Sequence, residues 1–331
     1  MSHRRHLLRL LSGSVAGAVA LVAAPQLASA QAAAWPDKPV RFIVPFPPGG
    51  PTDNFVRTVA GPLGEKLGQT VVVENRAGAG GAIGIDAVAK AAPDGYTMGL
   101  GSGGALVALP HLTQVPYSVT NDLAYVSGLA RVSTVLAVTQ ASGITSLEQL
   151  LKQAKANPGK MNYASPGTGT LTHLVGELFT QETDANIAHI PYKGAAPAIT
   201  DLLGGQVEMA FADLTPILPH VQSGAVRALA ITSSQRTPLL PDVPTMTELG
   251  YPEVVHTTEY GVIMPAGTPP AIVAKAQQAL AEVLQSDAVR ESYARMGADP
   301  APSKPEEYRQ MVLDTYKTWG EFIKERNITL N

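Results

Sequence analysis

Along the chain, short apolar runs of strand length alternate with stretches whose apolar residues recur every three or four positions. The runs at 40–45, 70–74, 96–100, 161–164, 188–192, 207–212 and 227–232 read as buried strands, several of them ending in Gly, Pro, Ser or Asp. Helical spacing occupies 53–67, 146–156, 171–181 and 197–203, so strand and helix alternate as in an α/β fold with mostly parallel sheets flanked by helices. The C-terminal region differs. Segments 271–284 and 306–326 predict two amphipathic helices, the second through Tyr308, Met311, Val312, Thr315, Trp319, Phe322 and Ile323, whose rings belong to the core.

The first thirty residues do not fit this alternation. Arg4, Arg5 and Arg9 precede an uncharged stretch from Leu10 to Ala24, and Ala28-Ser29-Ala30 forms a small-residue cleavage pattern. Residues 1–30 thus read as an export signal that leaves a periplasmic protein starting at Gln31. The stretch falls short of the roughly 20 apolar residues of a membrane span. Arg4-Arg5 also resembles a twin-arginine signal, although His3 stands where Ser or Thr is usual, so both export routes stay open.

Without the signal, 21 Lys+Arg face 27 Asp+Glu, a balance that gives no reason to expect a nucleic-acid partner. There is no Cys, which excludes disulfides, thiolate metal sites and Cys nucleophiles. About 300 residues exceed what one core ordinarily serves, which predicts two domains. No Ser/Gly linker separates them, so the chain is expected to cross as strands near 124–138 and 254–264. Domain one would then comprise 31–138 and 253–331, with 139–252 inserted as domain two.

Candidate chemistry sits in the loops after the strands. Pro45-Phe46-Pro47-Pro48-Gly49-Gly50-Pro51-Thr52-Asp53 joins a stiff segment to two glycines, then to Thr52 as N-cap of a helix starting near Asp53. A helix N-terminus offers unpaired N–H groups and partial positive charge, so a carboxylate can be held there without Lys or Arg. Asp53 would oppose an anion and is read first as a capping and loop-ordering residue. The second half repeats the device in Ser165-Pro166-Gly167-Thr168-Gly169-Thr170, with three hydroxyls before a helix from Leu171, and again around Lys193-Gly194-Ala195. Ligands of open α/β sheets bind beyond the carboxyl ends of the strands, where these loops fall, and binding could close the halves by a hinge.

Enzyme readings find less support. Gly99-Leu100-Gly101-Ser102-Gly103-Gly104 satisfies a dinucleotide fingerprint, but Leu109-Pro110 interrupts the helix that should follow. No nucleophile elbow, phosphate loop or zinc motif occurs, and His111, His173, His189, His220 and His256 include no pair at ligand spacing. No catalytic residue, metal or cofactor is expected. His173 could face the cleft but is assigned first to packing or the helix surface, and Lys193 is read as a surface or loop-ordering charge.

Eight segments, in order along the mature chain, resemble the Bug-type substrate-binding proteins of tripartite tricarboxylate transporters. They run from Trp35-Pro36-Asp37-Lys38-Pro39-Val40-Arg41 with the Pro45–Gly50 loop, through Glu74-Asn75-Arg76-Ala77-Gly78-Ala79-Gly80-Gly81 and His189-Ile190-Pro191-Tyr192-Lys193-Gly194, to Pro265-Ala266-Gly267-Thr268-Pro269. The resemblance implies a two-domain, flytrap-like periplasmic binding fold of type II that captures a small organic carboxylate. It also implies delivery to integral-membrane permease subunits, and a monomer best fits such a diffusing carrier. By motif position the implied first-domain contacts are Phe46, Gly49, Gly50 and Asp53, with Gly80 and Ser102 nearby. From the second domain they are Ser165, Gly167, Thr168, Gly169 and Thr170, then Gly194, Ala195 and Asp213. Asp213 has hinge and capping readings as well. A binding protein that feeds a signalling receptor is the runner-up and an exported enzyme the third reading. Where the family usually carries Trp before Gly261, this chain has Glu259. Facing the cleft, Glu259 would repel a second ligand carboxylate; facing solvent, it would not.

Overall fold

A computed structural model describes residues 35–329; the export signal read at 1–30 lies outside the described residues. The first strands are β1 (Val40–Val44), β2 (Val71–Asn75) and β3 (Thr97–Ser102), all parallel, with β1 in the middle. Helix α1 (Pro51–Leu67) links β1 to β2, and α2 (Ala82–Ala89) links β2 to β3. α1 begins two residues earlier than expected. Its N-cap is Gly50, which corrects the expectation for Thr52, because the fixed φ of Pro51 suits the first helical position. Thr52 lies inside the first turn, and Gly68 closes the helix in the left-handed conformation.

β4 (Leu123–Thr139) is the long crossing strand. Its first part pairs antiparallel with β9 (Thr257–Pro265), from Leu123 to Ser133, and with β10 (Ala298–Pro300). Its last part, from Thr134, pairs instead with β7 (Met209–Asp213) and β8 (Val226–Ile231). β5 (Met161–Ser165) and β6 (Ile187–Pro191) complete a second parallel set with β7. The orders β2-β1-β3-β9-β4 and β6-β5-β7-β4-β8 thus repeat one scheme, with β4 common to both. The three outer strands of each set are parallel, as expected, and the strands crossing beside them are antiparallel.

Further helices cover the sheets: α3 (Leu147–Ala156), α4 (Leu171–Thr183), α5 (Ala195–Leu203), α6 (Leu214–Gln222), α7 (Pro270–Gln285), α8 (Asp287–Arg295) and α9 (Pro305–Glu325). α3 is capped by Ser146, whose hydroxyl accepts from Gln149 N at 3.2 Å. Along α9, Tyr308, Val312, Trp319 and Ile323 are buried at helical spacing, each worth roughly 1.5–3 kcal/mol on full burial. One hydrophobic cluster joins side chains of both strand sets, from Ile43 and Ile85 to Phe179 and Phe211.

Candidate functional site

The β1–α1 loop is ordered by the Asp53 carboxylate. Its Oδ2 accepts from Gly49 N and from Arg57 Nε, both at 2.8 Å, and its Oδ1 accepts from Asn75 Nδ2 at 2.9 Å. Asn75 Nδ2 also donates to the Phe46 carbonyl at 3.0 Å, so the two ends of the loop are tied to one side-chain pair. Burial works against the Asp53 charge, but the hydrogen bonds from Arg57, Gly49 and Asn75 outweigh it and hold the carboxyl below its usual range. Asp53 therefore faces into its own loop rather than outward from the start of α1. Phe46 lies beside Gly81, and Gly81 lies beside Ala105, which brings the loop against the segment following β3.

In the second strand set, two histidines hold the Ser165–Thr170 loop. Gly169 N donates to His173 Nδ1 at 3.2 Å, and Ser165 Oγ meets His189 Nε2 at 2.7 Å. The imidazoles stack with centroids 4.0 Å apart, and His189 stacks on Tyr163 as well. Burial pushes the His173 pKa down to about 3 and that of His189 to about 4, so both rings are neutral near pH 7. Thr170 caps α4: its hydroxyl accepts from His173 N and donates to Gly167 O at 2.7 Å. Gly167 has φ +143°, and a Cβ there would meet the Tyr192 carbonyl at 3.0 Å. Gly194 N donates to Pro166 O at 2.9 Å, which binds the Gly194–Ala195 turn to the same loop. Of the three expected hydroxyls, those of Ser165 and Thr170 turn inward, so Thr168 and the helix N-termini at Leu171 and Ala195 are what this loop pair presents.

The two sets of loops approach each other at the level where β4 changes partners. A Cβ on Gly103, the residue after Ser102, would lie 2.6 Å from Leu171 Cδ1. Asp213 ends β7 opposite Thr134 of β4 and accepts from Thr258 Oγ1 at 3.0 Å and Tyr260 OH at 3.3 Å, both on β9. Burial pushes its pKa up to about 6 against those two hydrogen bonds, which lower it. Nearby on the same sheet face, Ser102 Oγ and Thr134 Oγ1 are buried and find no partner among the described residues. Gly80 stands apart, in an exposed turn against Leu109.

β9 alternates its faces, so Thr257 and Glu259 point away from Thr258 and Tyr260. Glu259 sits directly across from Arg131 of β4, accepts from its Nε at 2.5 Å and also accepts from Thr257 Oγ1 at 3.0 Å. It is mostly shielded from solvent, with 17% of its side chain exposed, and lines a cavity of about 240 Å³ behind the crossing strands. Sequence reasoning had no signal for the Asp53–Asn75, His173–His189 or Arg131–Glu259 pairings, which join residues far apart in the chain. Among the described residues, no cluster of His, Asp and Glu could hold a metal ion.

This is the α/β fold of the periplasmic binding proteins. It is similar to the periplasmic binding protein BugD, with 35% identity, a TM-score of 0.79 and coverage of 89% of this chain and 99% of that one. R. palustris Rpa4515 with adipate gives 33% identity and a TM-score of 0.82 over 89% of this chain and 99% of that chain. In sequence, the chain is 44% identical to protein BugT of Bordetella pertussis over 95% of each. Residues 55–328 match the tripartite tricarboxylate transporter family receptor, TctC, and the chain belongs to that family.

Proposed function

We propose that this protein is exported through its first thirty residues to the periplasm, captures a small carboxylate between its two strand sets, and hands it to the permease subunits of a tripartite transporter. The observation that carries this reading is the meeting of two helix-starting loop systems at the crossing point of β4. Their internal hydrogen bonds are satisfied by Asp53, His173 and His189, so they are held ready to receive an anion without rearranging. The carboxylate is held by first-turn N–H groups near Gly50, Thr168 and Ala195 rather than by a basic side chain. Support also comes from the family and from a relative described with adipate, a dicarboxylate. The sets act as two lobes, with 31–138 and 253–331 forming one and 139–252 the other, and β4 and the 232–257 return form the hinge.

Thermal unfolding of residues 31–331 with a panel of acids and their amides tests this, because a ligand bound only by the native state raises its stability. Stabilisation by an acid and not by its amide is expected; equal responses to both would remove the anion site from the account.

A further inference from the structure

The cavity behind the crossing strands is separate from the carboxylate loops. Strand β9 divides the two: Thr258 and Tyr260 point to the face that holds Asp213, and Thr257 and Glu259 point to the other. On that other face Leu106, Leu171, Val255 and Met311 supply much of the cavity's wall. Val255 is 37% exposed, and Thr257, Met311 and Thr315 are half-buried, so the space opens to solvent on this side. At about 240 Å³ it is smaller than the roughly 300–1,000 Å³ pockets that take drug-sized molecules.

Its charge is one-sided. Glu259 is the only carboxylate in the lining, and no Lys or Arg joins it. Both hydrogen bonds that Glu259 accepts, from Arg131 Nε and Thr257 Oγ1, fall on Oε1. A carboxylate has about four acceptor positions, so Oε2, which accepts from no described residue, keeps its own free. Arg131 approaches from β4, about half exposed and outside the lining, so water screens its charge better than the apolar wall screens that of Glu259. The other titratable groups bring no charge near pH 7: burial lowers His256 to about 4, and burial, with Tyr125 and Glu259 nearby, raises Tyr308. What the cavity lacks is a hydrogen-bond donor carrying positive charge on a small apolar body.

We infer that this cavity is a second binding site, for a small aliphatic amine in its protonated form, whose ammonium group donates to Glu259 Oε2 while its alkyl chain lies against Leu106, Leu171 and Met311. The charge of Glu259 repels carboxylates, so the site differs from the anion site of the loops in ligand as well as in position. Leu171 opens α4 in one strand set, whereas Leu106 and Met311 belong to the other, so a bound amine touches both.

Butylammonium, butanol and butyrate share one carbon skeleton and separate charge from size. Each is titrated into residues 31–331 with isotope-labelled methionine methyls, and the nuclear magnetic resonance signal of Met311, identified by its loss in Met311→Leu, reports on this cavity. Butylammonium is expected to give a saturating shift. Butanol is expected to bind about tenfold more weakly, because a charge-assisted hydrogen bond is roughly twice as strong as a neutral one, and butyrate to leave the signal unmoved. Glu259→Gln is expected to lower butylammonium to the level of butanol. Arg131→Gln removes the competing cation and is expected to tighten butylammonium several-fold, a gain that a damaged fold would not produce. Equal affinities for butanol and butylammonium, an affinity unchanged in Glu259→Gln, or no saturating shift at millimolar butylammonium overturns the inference. The carboxylate cleft stands or falls separately: a protein that binds no acid still binds the amine here.

Discussion

Replacing Asp53 tests whether the first loop is built in advance of its ligand. The carboxylate is buried, with 2% of its side chain exposed, and accepts from Gly49 N, Arg57 Nε and Asn75 Nδ2. Arg57 is half in solvent and recovers its hydration when the partner is lost, so it adds little to the difference. The Gly49 and Asn75 groups are less free to recover. With hydrogen bonds to a charged acceptor worth about 1.5–3 kcal/mol each, Asp53→Ala is expected to cost roughly 2–4 kcal/mol. Asp53→Asn presents an amide donor toward one of three donors and is expected to cost about half as much. The pH dependence has a definite sign. The folded carboxyl lies below its unfolded range, so its stabilisation is present above about pH 4 and is lost as pH falls through the folded value. Urea unfolding at pH 7 reads these losses as a lower midpoint at unchanged slope. If both variants unfold at the wild-type midpoint, the carboxylate does not order the loop and the argument for a ready-made site fails.

Three other outcomes follow from the packing and the charges. Gly176→Ala would place a Cβ 2.3–2.8 Å from the Tyr163 ring, under the stacked histidines, and should cost about 1–3 kcal/mol in thermal unfolding; an unchanged midpoint would show that Tyr163 moves freely. Asp213 has a raised pKa near 6, so it opposes folding at neutral pH and this penalty fades as pH falls from 6 toward 4. His173, His189 and His256, lowered to between about 3 and 4, have the opposite effect below their unfolded values, and Asp213→Asn should therefore steepen the acid loss of stability in a melting-temperature profile against pH; identical profiles would refute the assignment. Lys66→Ala breaks the exposed pair with Glu282 and should leave the unfolding midpoint unmoved in 150 mM salt, the order of physiological ionic strength.

Much of the scaffold was legible because its signals are local. The strand runs at 40–45 and 161–164 coincide with β1 and β5 to within a residue, and the apolar stripe from Tyr308 to Ile323 is the buried side of α9. α2, Ala82–Ala89, escaped notice because apolar residues surround nearly its whole circumference and leave no periodic contrast. α6 escaped because Pro216 and Pro219 interrupt its pattern, although Pro216 lies in the first turn, where the missing N–H costs nothing. At the site, loop positions were readable from Gly, Pro and Thr, but the direction of each side chain was not. Ser165 and Thr170 look like ligand hydroxyls in sequence and turn into the loop, because His189 and the Gly167 carbonyl, brought near by folding, are closer partners. The orientation of Glu259 likewise depended on Arg131, 128 residues away, and on the alternation of β9.

The most direct test is a crystal structure of residues 31–331 with an acid chosen by the thermal panel. A ligand carboxylate within hydrogen-bonding distance of backbone N–H groups at the start of α1 and of α4 or α5, between the two strand sets, is the predicted result. A carboxylate paired instead with a Lys or Arg side chain, away from those helix N-termini, would contradict the account.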